Sequence, residues 1–261
     1  MFANLWRYRS FIFGMVKREF LARYLGSLLG TLWAVISPLA MIFIYTIIFG
    51  RVMKAKLVGV DDSMAYGVFL CAGVLTWGTF TEVINRCVTV FIEQANLLKK
   101  MSFPRATLPA VVLLSSSVNF AIIFAVLCLF LIVSGRFPGW PLLGFFPILL
   151  LQQSFALGLG VCLGVVNVFF RDVGHAIAIV LQFWFWLTPI VYPASILPEN
   201  VRWMIELNPI TRMVISYQDI LLHARWPRWQ EFGLHAIGAV LALGLGVVAF
   251  RRLSGEMVDY L

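Results

Sequence analysis

Glu82, Asn85 and Arg86 stand together at the end of an apolar stretch of this 261-residue sequence. A carboxylate within a membrane can carry the proton of a proton-driven transporter, but such a group belongs near the midplane, where polar residues are costly enough to imply function. These three fall near the edge of their stretch, so their position predicts an interfacial ion pair and leaves the chain without an ion-coupling centre. His175, His223 and His235 are far apart and read as structural or interfacial residues, so no metal site is expected. Cys71, Cys87, Cys128 and Cys162 lie within or beside apolar runs and form no CxxC pair, which is the pattern of buried free thiols. The sequence contains no G-x-x-x-x-G-K-[ST] phosphate loop, no H-E-x-x-H and no G-x-S-x-G. ATP hydrolysis by this chain itself is therefore not expected, and no catalytic residue is assigned. Asp172 and His175 are the only close pair near a membrane face that a lipid-modifying transferase could use, and that reading stands as a minor alternative.

Two stripes suggest binding instead of catalysis. Trp33, Ser37, Met41 and Tyr45 recur every four residues, as do Trp184, Thr188 and Tyr192. On helices each set shares one face. Aromatic rings beside hydroxyls suit sugars, whose C–H faces pack on rings while their hydroxyls take hydrogen bonds. An aromatic belt at the lipid headgroups is the competing reading, and the sequence leaves both open. Gly158, Gly160 and Gly164 mimic a nucleotide-binding glycine motif, but the strand-turn-helix context is missing. Ala156, Gly160 and Gly164, spaced by four, fit close helix packing in lipid, and Gly26 and Gly30 offer the same kind of approach. Pro38 and Pro189 mark kinks within or at the end of their helices.

The elements that would position these residues follow from composition. The chain is 61% hydrophobic and 12% charged, with a mean hydropathy of +0.93. That is too apolar for a soluble domain, where about 45–50% apolar and about 25% charged residues are usual. A bilayer resolves the excess. Six stretches are long enough to cross as helices, from about Leu28 to Gly50, Ala65 to Ile84, Leu108 to Val133, Leu142 to Phe170, Ala176 to Tyr192 and Phe232 to Phe250. The runs are apolar on every face, which excludes the alternating pattern of a membrane barrel. The expectation is an all-α integral membrane protein with a single transmembrane domain over residues 1–261.

The net charge of +8 reads as topology and not as a nucleic-acid surface. Lys99, Lys100, Arg105, Arg171, Arg251 and Arg252 join the basic N-terminal segment on one side, while Arg51, Lys54, Lys56, Arg136, Arg202, Arg212, Arg225 and Arg228 fall on the other, partly balanced by acids such as Asp61 and Asp62. The first set lies nearer the span ends, which places both termini in the cytoplasm. Charges spread along residues 1–27 do not fit a cleavable signal peptide. That segment predicts an amphipathic helix in the membrane interface, with Leu5, Tyr8, Ile12, Met15 and Val16 on one face and Arg7, Lys17 and Arg18 opposite. Residues 193–229 are too apolar for a free loop. They predict two short helices broken at Asn208-Pro209 and dipping into the outer leaflet as a re-entrant segment.

Several stretches, in order and spacing, resemble membrane subunits of the ABC-2 exporter family. They are Arg23-Tyr24-Leu25-Gly26-Ser27 through Trp33, Ser37-Pro38-Leu39 to Tyr45, Asn96 through Phe103-Pro104-Arg105, Phe169-Phe170-Arg171-Asp172-Val173, Thr188-Pro189-Ile190-Val191-Tyr192, and Asn208-Pro209. The resemblance covers nearly the whole chain, and the closest branch looks like exporters of O-antigen, capsule and teichoic-acid polymers. It implies a homodimer in a bacterial cytoplasmic membrane, joined by two copies of a separate ATP-binding subunit that holds the ATP and magnesium, so that no cofactor is bound by this chain. It implies that Phe103, Pro104 and Arg105, with Phe170, Arg171 and Asp172, lie on loops that dock the ATPase. It also implies a path for a lipid-linked polysaccharide between the protomers, lined by Trp33, Ser37, Tyr45, Trp184, Thr188 and Tyr192. A drug or small-lipid exporter of the same superfamily is the alternative.

Overall fold

The computed structural model describes residues 6–52, 64–100 and 104–260. Every element among them is helical. In chain order these are α1 (Arg9–Ala22), α2 (Trp33–Ile44), α3 (Ala65–Glu93), α4 (Ala95–Lys100), α5 (Thr107–Val133), α6 (Phe145–Phe169), α7 (Asp172–Trp186), α8 (Glu199–Glu206), α9 (Thr211–His223), α10 (Gly233–Leu253) and α11 (Met257–Tyr260). A 3-10 turn precedes α2, and π-helical geometry continues it from Tyr45 to Val52.

Five helical segments are long and apolar enough to cross a membrane: Gly30–Gly50, Ala65–Glu93, Thr107–Val133, Trp140–Phe169 and Trp229–Leu253. They match five of the six predicted stretches. The remaining one differs, because α7 stops at Trp186 after 15 residues. Residues 187–192 continue it as chain that is no longer regular helix. Near the start of α7, the Gly174 amide donates to Asn167 Oδ1 at 2.8 Å, and Asn167 Nδ2 donates to the Val88 carbonyl at 2.9 Å. Beyond its end, the Tyr66 hydroxyl donates to the Val191 carbonyl at 2.6 Å. The stretch thus runs beside α3 from the level of Val88 to that of Tyr66, about 33 Å at 1.5 Å per residue.

α3 is the spine. It runs antiparallel to α5, with Arg86 against Ser116 and Glu82 level with Asn119, and parallel to α6, with Thr76 level with Gln152 and Val88 level with Asn167. We call the end of the bundle that holds α1 the proximal face and the opposite end the distal face. The predicted small-residue face of α6 is the one pressed on α3: Ala156 is fully buried, a Cβ on Gly160 would lie 2.8 Å from Cys87 Cβ, and one on Gly164 would overlap the Cys87 carbonyl. Gly158 points the other way, where its backbone meets Ala242 and Gly246 of α10. Gly26 and Gly30 do something different from the expected packing. Nothing lies near either one, and both have positive φ, +80° and +51°. They turn the chain between α1 and α2, a conformation that suits glycine.

Residues 193–229 form the two predicted helices, α8 and α9, broken around Asn208-Pro209. α9 is a core element. Ile210, Val214, Tyr217 and Ile220 are fully buried. Tyr217 packs on Phe145 at 4.3 Å between ring centroids, and its hydroxyl donates to Gln152 Oε1 at 2.8 Å, while Gln152 Nε2 donates to the Thr76 carbonyl at 3.0 Å. Buried polar groups need such partners, and here they tie α9, α6 and α3 together. α1 is amphipathic as predicted, with Ile12, Met15 and Val16 buried and Arg7, Lys17 and Arg18 exposed. Its apolar face, however, packs on α5 and not into lipid, while Phe13 and Trp6 remain exposed.

Candidate conduit and coupling surfaces

Besides α10, whose apolar stretch is also only 17% buried, two helices leave most of their apolar surface open. In the most apolar stretch of Gly30–Gly50 only 17% of residues are buried, against 78% for α3. α7 has a single fully buried side chain, Leu181. Ile179, Val180, Phe183, Trp186 and Leu187 stand out from it, as Trp33, Ile36, Leu39 and Phe43 do from α2. Both helices flank α3. An exposed apolar patch of this size marks contact with lipid or with another surface.

The six predicted path residues divide across this surface. Trp33 and Ser37 are exposed on α2. Tyr45 is half-buried in an aromatic run with Phe49 (6.1 Å) and Tyr66 beyond it (5.8 Å from Phe49). Tyr192 is half-buried, and its hydroxyl donates back to the Trp186 carbonyl at 2.9 Å. Thr188 departs from the expectation. It is fully buried, its hydroxyl donates to the Trp184 carbonyl at 2.9 Å and accepts from Asn208 Nδ2 at 2.9 Å. It positions the chain and lines no open surface. Trp184 belongs mostly to the interior as well: its indole packs edge-on against Trp77 (6.2 Å) and Phe80 (5.6 Å), and Nε1 donates to Asn208 Oδ1 at 2.9 Å.

Asn208 is therefore the organiser of the break between α8 and α9. Its Oδ1 also accepts the Ile210 amide at 3.0 Å, so one side chain holds the end of α7, the start of α9 and the Trp184 ring. Gln218 adds a second tie, donating from Nε2 to the Pro189 carbonyl at 3.1 Å. On the distal surface Arg212 pairs with Glu231 at 2.8 Å, and Arg228 approaches the same carboxylate at 3.5 Å. Asp219 is half-buried beside them. Burial raises its carboxyl above the usual range, against the opposing influence of His223, Arg225, Arg228 and Arg212.

The proximal face holds the predicted coupling residues. Phe103 lies outside the described residues, as do residues 53–63 with the predicted outer charges Lys54, Lys56, Asp61 and Asp62. Pro104 and Arg105 sit just before α5, and the Arg105 guanidinium donates to the Ser254 carbonyl beyond α10. Phe170, Arg171 and Asp172 form an exposed turn between α6 and α7. Phe170 is extended (φ −130°, ψ 92°), which ends α6 and throws its ring outward, 68% exposed. The Asn167 amide pins this turn to α3, and Asp172 in the first turn of α7 suits the positive end of that helix dipole.

The predicted ion pair of Glu82 and Arg86 is real, at 3.7 Å, and part of something larger. Glu82 also accepts from Arg23 at 2.9 Å and from Asn119 Nδ2 at 3.0 Å. Arg86 pairs with Glu19 and reaches Ser116 Oγ at 3.4 Å. Two residues of the N-terminal segment are thus bound to α3, whose Glu82 and Arg86 also bond Asn119 and Ser116 of α5. Sequence reading had passed over Asn119, Gln152, Asn167 and Gln218. Their signal was available: each is an amide within a largely apolar stretch, where an unsatisfied polar group is costly.

This arrangement has relatives. The family model for the ABC-2 type transporter matches residues 11–222. The chain is 32% identical over 258 residues to an O-antigen export system permease protein RfbA of Myxococcus xanthus, covering 98% of this chain and 97% of the relative. It is 28% identical to a protein of the same name from Klebsiella pneumoniae over 95% of this chain and 93% of that one. It is 22% identical to the polysialic acid transport protein KpsM of Escherichia coli over 92% of both chains. With a family match over most of its length and a helical bundle built for a bilayer, the chain belongs to the ABC-2 type transporter family of membrane permeases.

Proposed function

We propose that this chain is the membrane-spanning subunit of an ATP-driven exporter that moves a lipid-linked polysaccharide outward across a bacterial cytoplasmic membrane. The observation that carries the reading is end-to-end similarity to a protein named as an O-antigen export permease, and a second relative is named for polysialic acid transport. In this reading α7 and its tail make a sixth crossing, and the proximal face with both termini is cytoplasmic. Two copies assemble across the exposed faces of α2 and α7. Trp33, Ser37, Tyr45 and Tyr192, with Phe183 and Trp186, flank the passage, while Trp184, Thr188 and Asn208 hold its distal end in shape.

Hydrolysis belongs to a separate ATP-binding subunit, present twice, with its nucleotide and magnesium. The exposed Phe170-Arg171-Asp172 turn supplies one docking element, and the segment before α5 supplies another. Glu19 of α1 and Arg23 just after it pair with Arg86 and Glu82 of α3, so a push on either turn reaches the spans through rigid helices and paired charges.

The test is reconstitution with the ATPase encoded beside it, reading ATP hydrolysis with and without the lipid-linked glycan. Stimulation by glycan, lost when Arg171 is replaced by Glu, is expected. No coupling between the two subunits would overturn the reading. Stimulation by small amphiphiles but not by glycan would assign the chain to drug or small-lipid export.

A further inference from the structure

A second feature of the bundle lies between α5, α6 and α10. α10 packs along α6, whereas α5 packs mainly on α3. The space left between α5, α6 and α10 is a cavity of about 400 Å³. Its walls are Pro109, Ala110 and Leu113 on one side and Leu243, Val247 and Phe250 on the other, over a floor that includes Gly158. The slot exists because Gly158 and Gly246 let α6 and α10 approach backbone to backbone, which draws α10 inward and away from α5. From Leu243 to Arg251 it runs about 12 Å along α10.

Its lining is apolar except at one end. There Arg251, exposed in the last turn of α10, completes the wall, and Arg252 follows it. Arginines at a helix C-terminus complement the dipole and need no ligand for that. The cavity beneath them is the separate observation. The link from Arg105 to the Ser254 carbonyl fixes the two walls at this same end, so the slot is formed in the protein by itself. An apolar trough running inward from a cation at the membrane surface has the shape and charge order of one amphiphile: chain toward the midplane, negative head at the interface.

We infer that this slot binds an anionic phospholipid of the proximal leaflet, with an acyl chain between α5 and α10 and its phosphate at Arg251. Basic pockets between membrane helices recognise anionic headgroups in this way. The site rests on the chain crossing a bilayer and is independent of what the exporter carries. Bound lipid would fill a gap in the packing beside Arg105, a residue of the coupling region, and so brace it.

The full-length protein in nanodiscs of equal phosphatidylglycerol and phosphatidylcholine, extracted into detergent, should retain phosphatidylglycerol in excess by mass spectrometry. Arg251→Gln, an exposed change, should cut that preference roughly fivefold, the worth of one juxtamembrane arginine. Ala110→Trp should fill the slot and lower retention of both lipids, and Val247→Trp tests the opposite wall should the first variant misassemble. Retention in the 1:1 bulk ratio, a preference unchanged in Arg251→Gln, or crosslinks between copies from a cysteine placed at Val247 would each overturn the assignment. A failed glycan-stimulation assay with lipid selectivity intact would sink the export reading alone.

Discussion

α3 and α7 lie side by side and are both apolar, yet they spend that apolarity differently. α3 buries nineteen residues, among them Phe80, Val83, Ile84 and Phe91 with no more than a trace of exposure. α7 buries one. Inside a bilayer there is no hydrophobic gain in joining two helices, so tight association needs small residues and hydrogen bonds. α3 has both: Gly160 and Gly164 press against Cys87, and the Gln152 and Asn167 amides bond its backbone. α7 has them only at its two ends, at Asn167 and at Asn208. The contrast separates a fixed scaffold from a helix anchored at its tips with a free face between them.

The sharpest way to break this contrast is to make a scaffold position look like a surface one. Gly164→Leu places a side chain where the Cys87 carbonyl stands, and backbone has little room to yield. A loss of about 3 kcal/mol or more is expected, seen as aggregation or a collapse of the melting temperature in detergent. Phe183→Ala on α7 should change stability by less than about 0.5 kcal/mol, because its ring is 67% exposed. In reconstituted export it should nonetheless slow transport. Equal melting losses for the two variants would erase the distinction.

Next in size is the anchor at the end of α7. Asn208→Ala removes acceptors from Trp184 Nε1 and the Ile210 amide and a donor from Thr188. Leaving such groups unpaired should cost about 2 kcal/mol. Asn208→Asp, which keeps the acceptors, should fall between that variant and the natural protein. Thermal unfolding followed by the burial-sensitive emission of Trp184 and its neighbours would read both.

A smaller loss is expected where α1 meets the scaffold. Glu82→Gln keeps the shape and an acceptor for Asn119 but removes the charge facing Arg23 and Arg86. Partly exposed pairs of this kind contribute about 1 kcal/mol or less. A double-mutant cycle with Arg23→Gln should return that coupling at low salt, and added salt should shrink it. Coupling of zero at low salt would mean that Arg23 adds nothing to the hold that Glu19, Ile12, Met15 and Val16 have on the scaffold.

The legibility of these features in the sequence follows from how local each one is. Apolar length marked the membrane spans, and spacing by four marked Ala156, Gly160 and Gly164, because both depend only on helix geometry. The break at Asn208-Pro209 was visible for the same reason, since proline cannot continue a helix. Its partner was not. Thr188 and Trp184 looked like a path-lining stripe because a period of four says which face residues share and not what that face meets. Gly26 and Gly30 looked like packing glycines because spacing cannot distinguish a close approach from a turn with positive φ. The end of α7 at Trp186 was missed because Leu187–Tyr192 is as apolar as the helix before it.

The smallest effect is expected where desolvation from the scaffold reaches a charge. Asp219 sits on α9, half-buried, with its carboxyl raised above the usual range by burial despite His223, Arg225, Arg228 and Arg212 around it. A carboxyl whose folded pKa is raised binds its proton more tightly in the folded than in the unfolded chain. The protonated form therefore favours folding, and stability is lost as pH climbs from the unfolded pKa through the folded one. Asp219→Asn mimics the protonated form at every pH. The variant should match the natural protein near pH 3.5 and melt slightly higher at pH 7. Melting curves at the two pH values check this. A variant that melts lower at pH 7 would mean that the arginines outweigh burial there, and that the distal charges, like those around Glu82, act as a clasp on the scaffold and not as a cost to it.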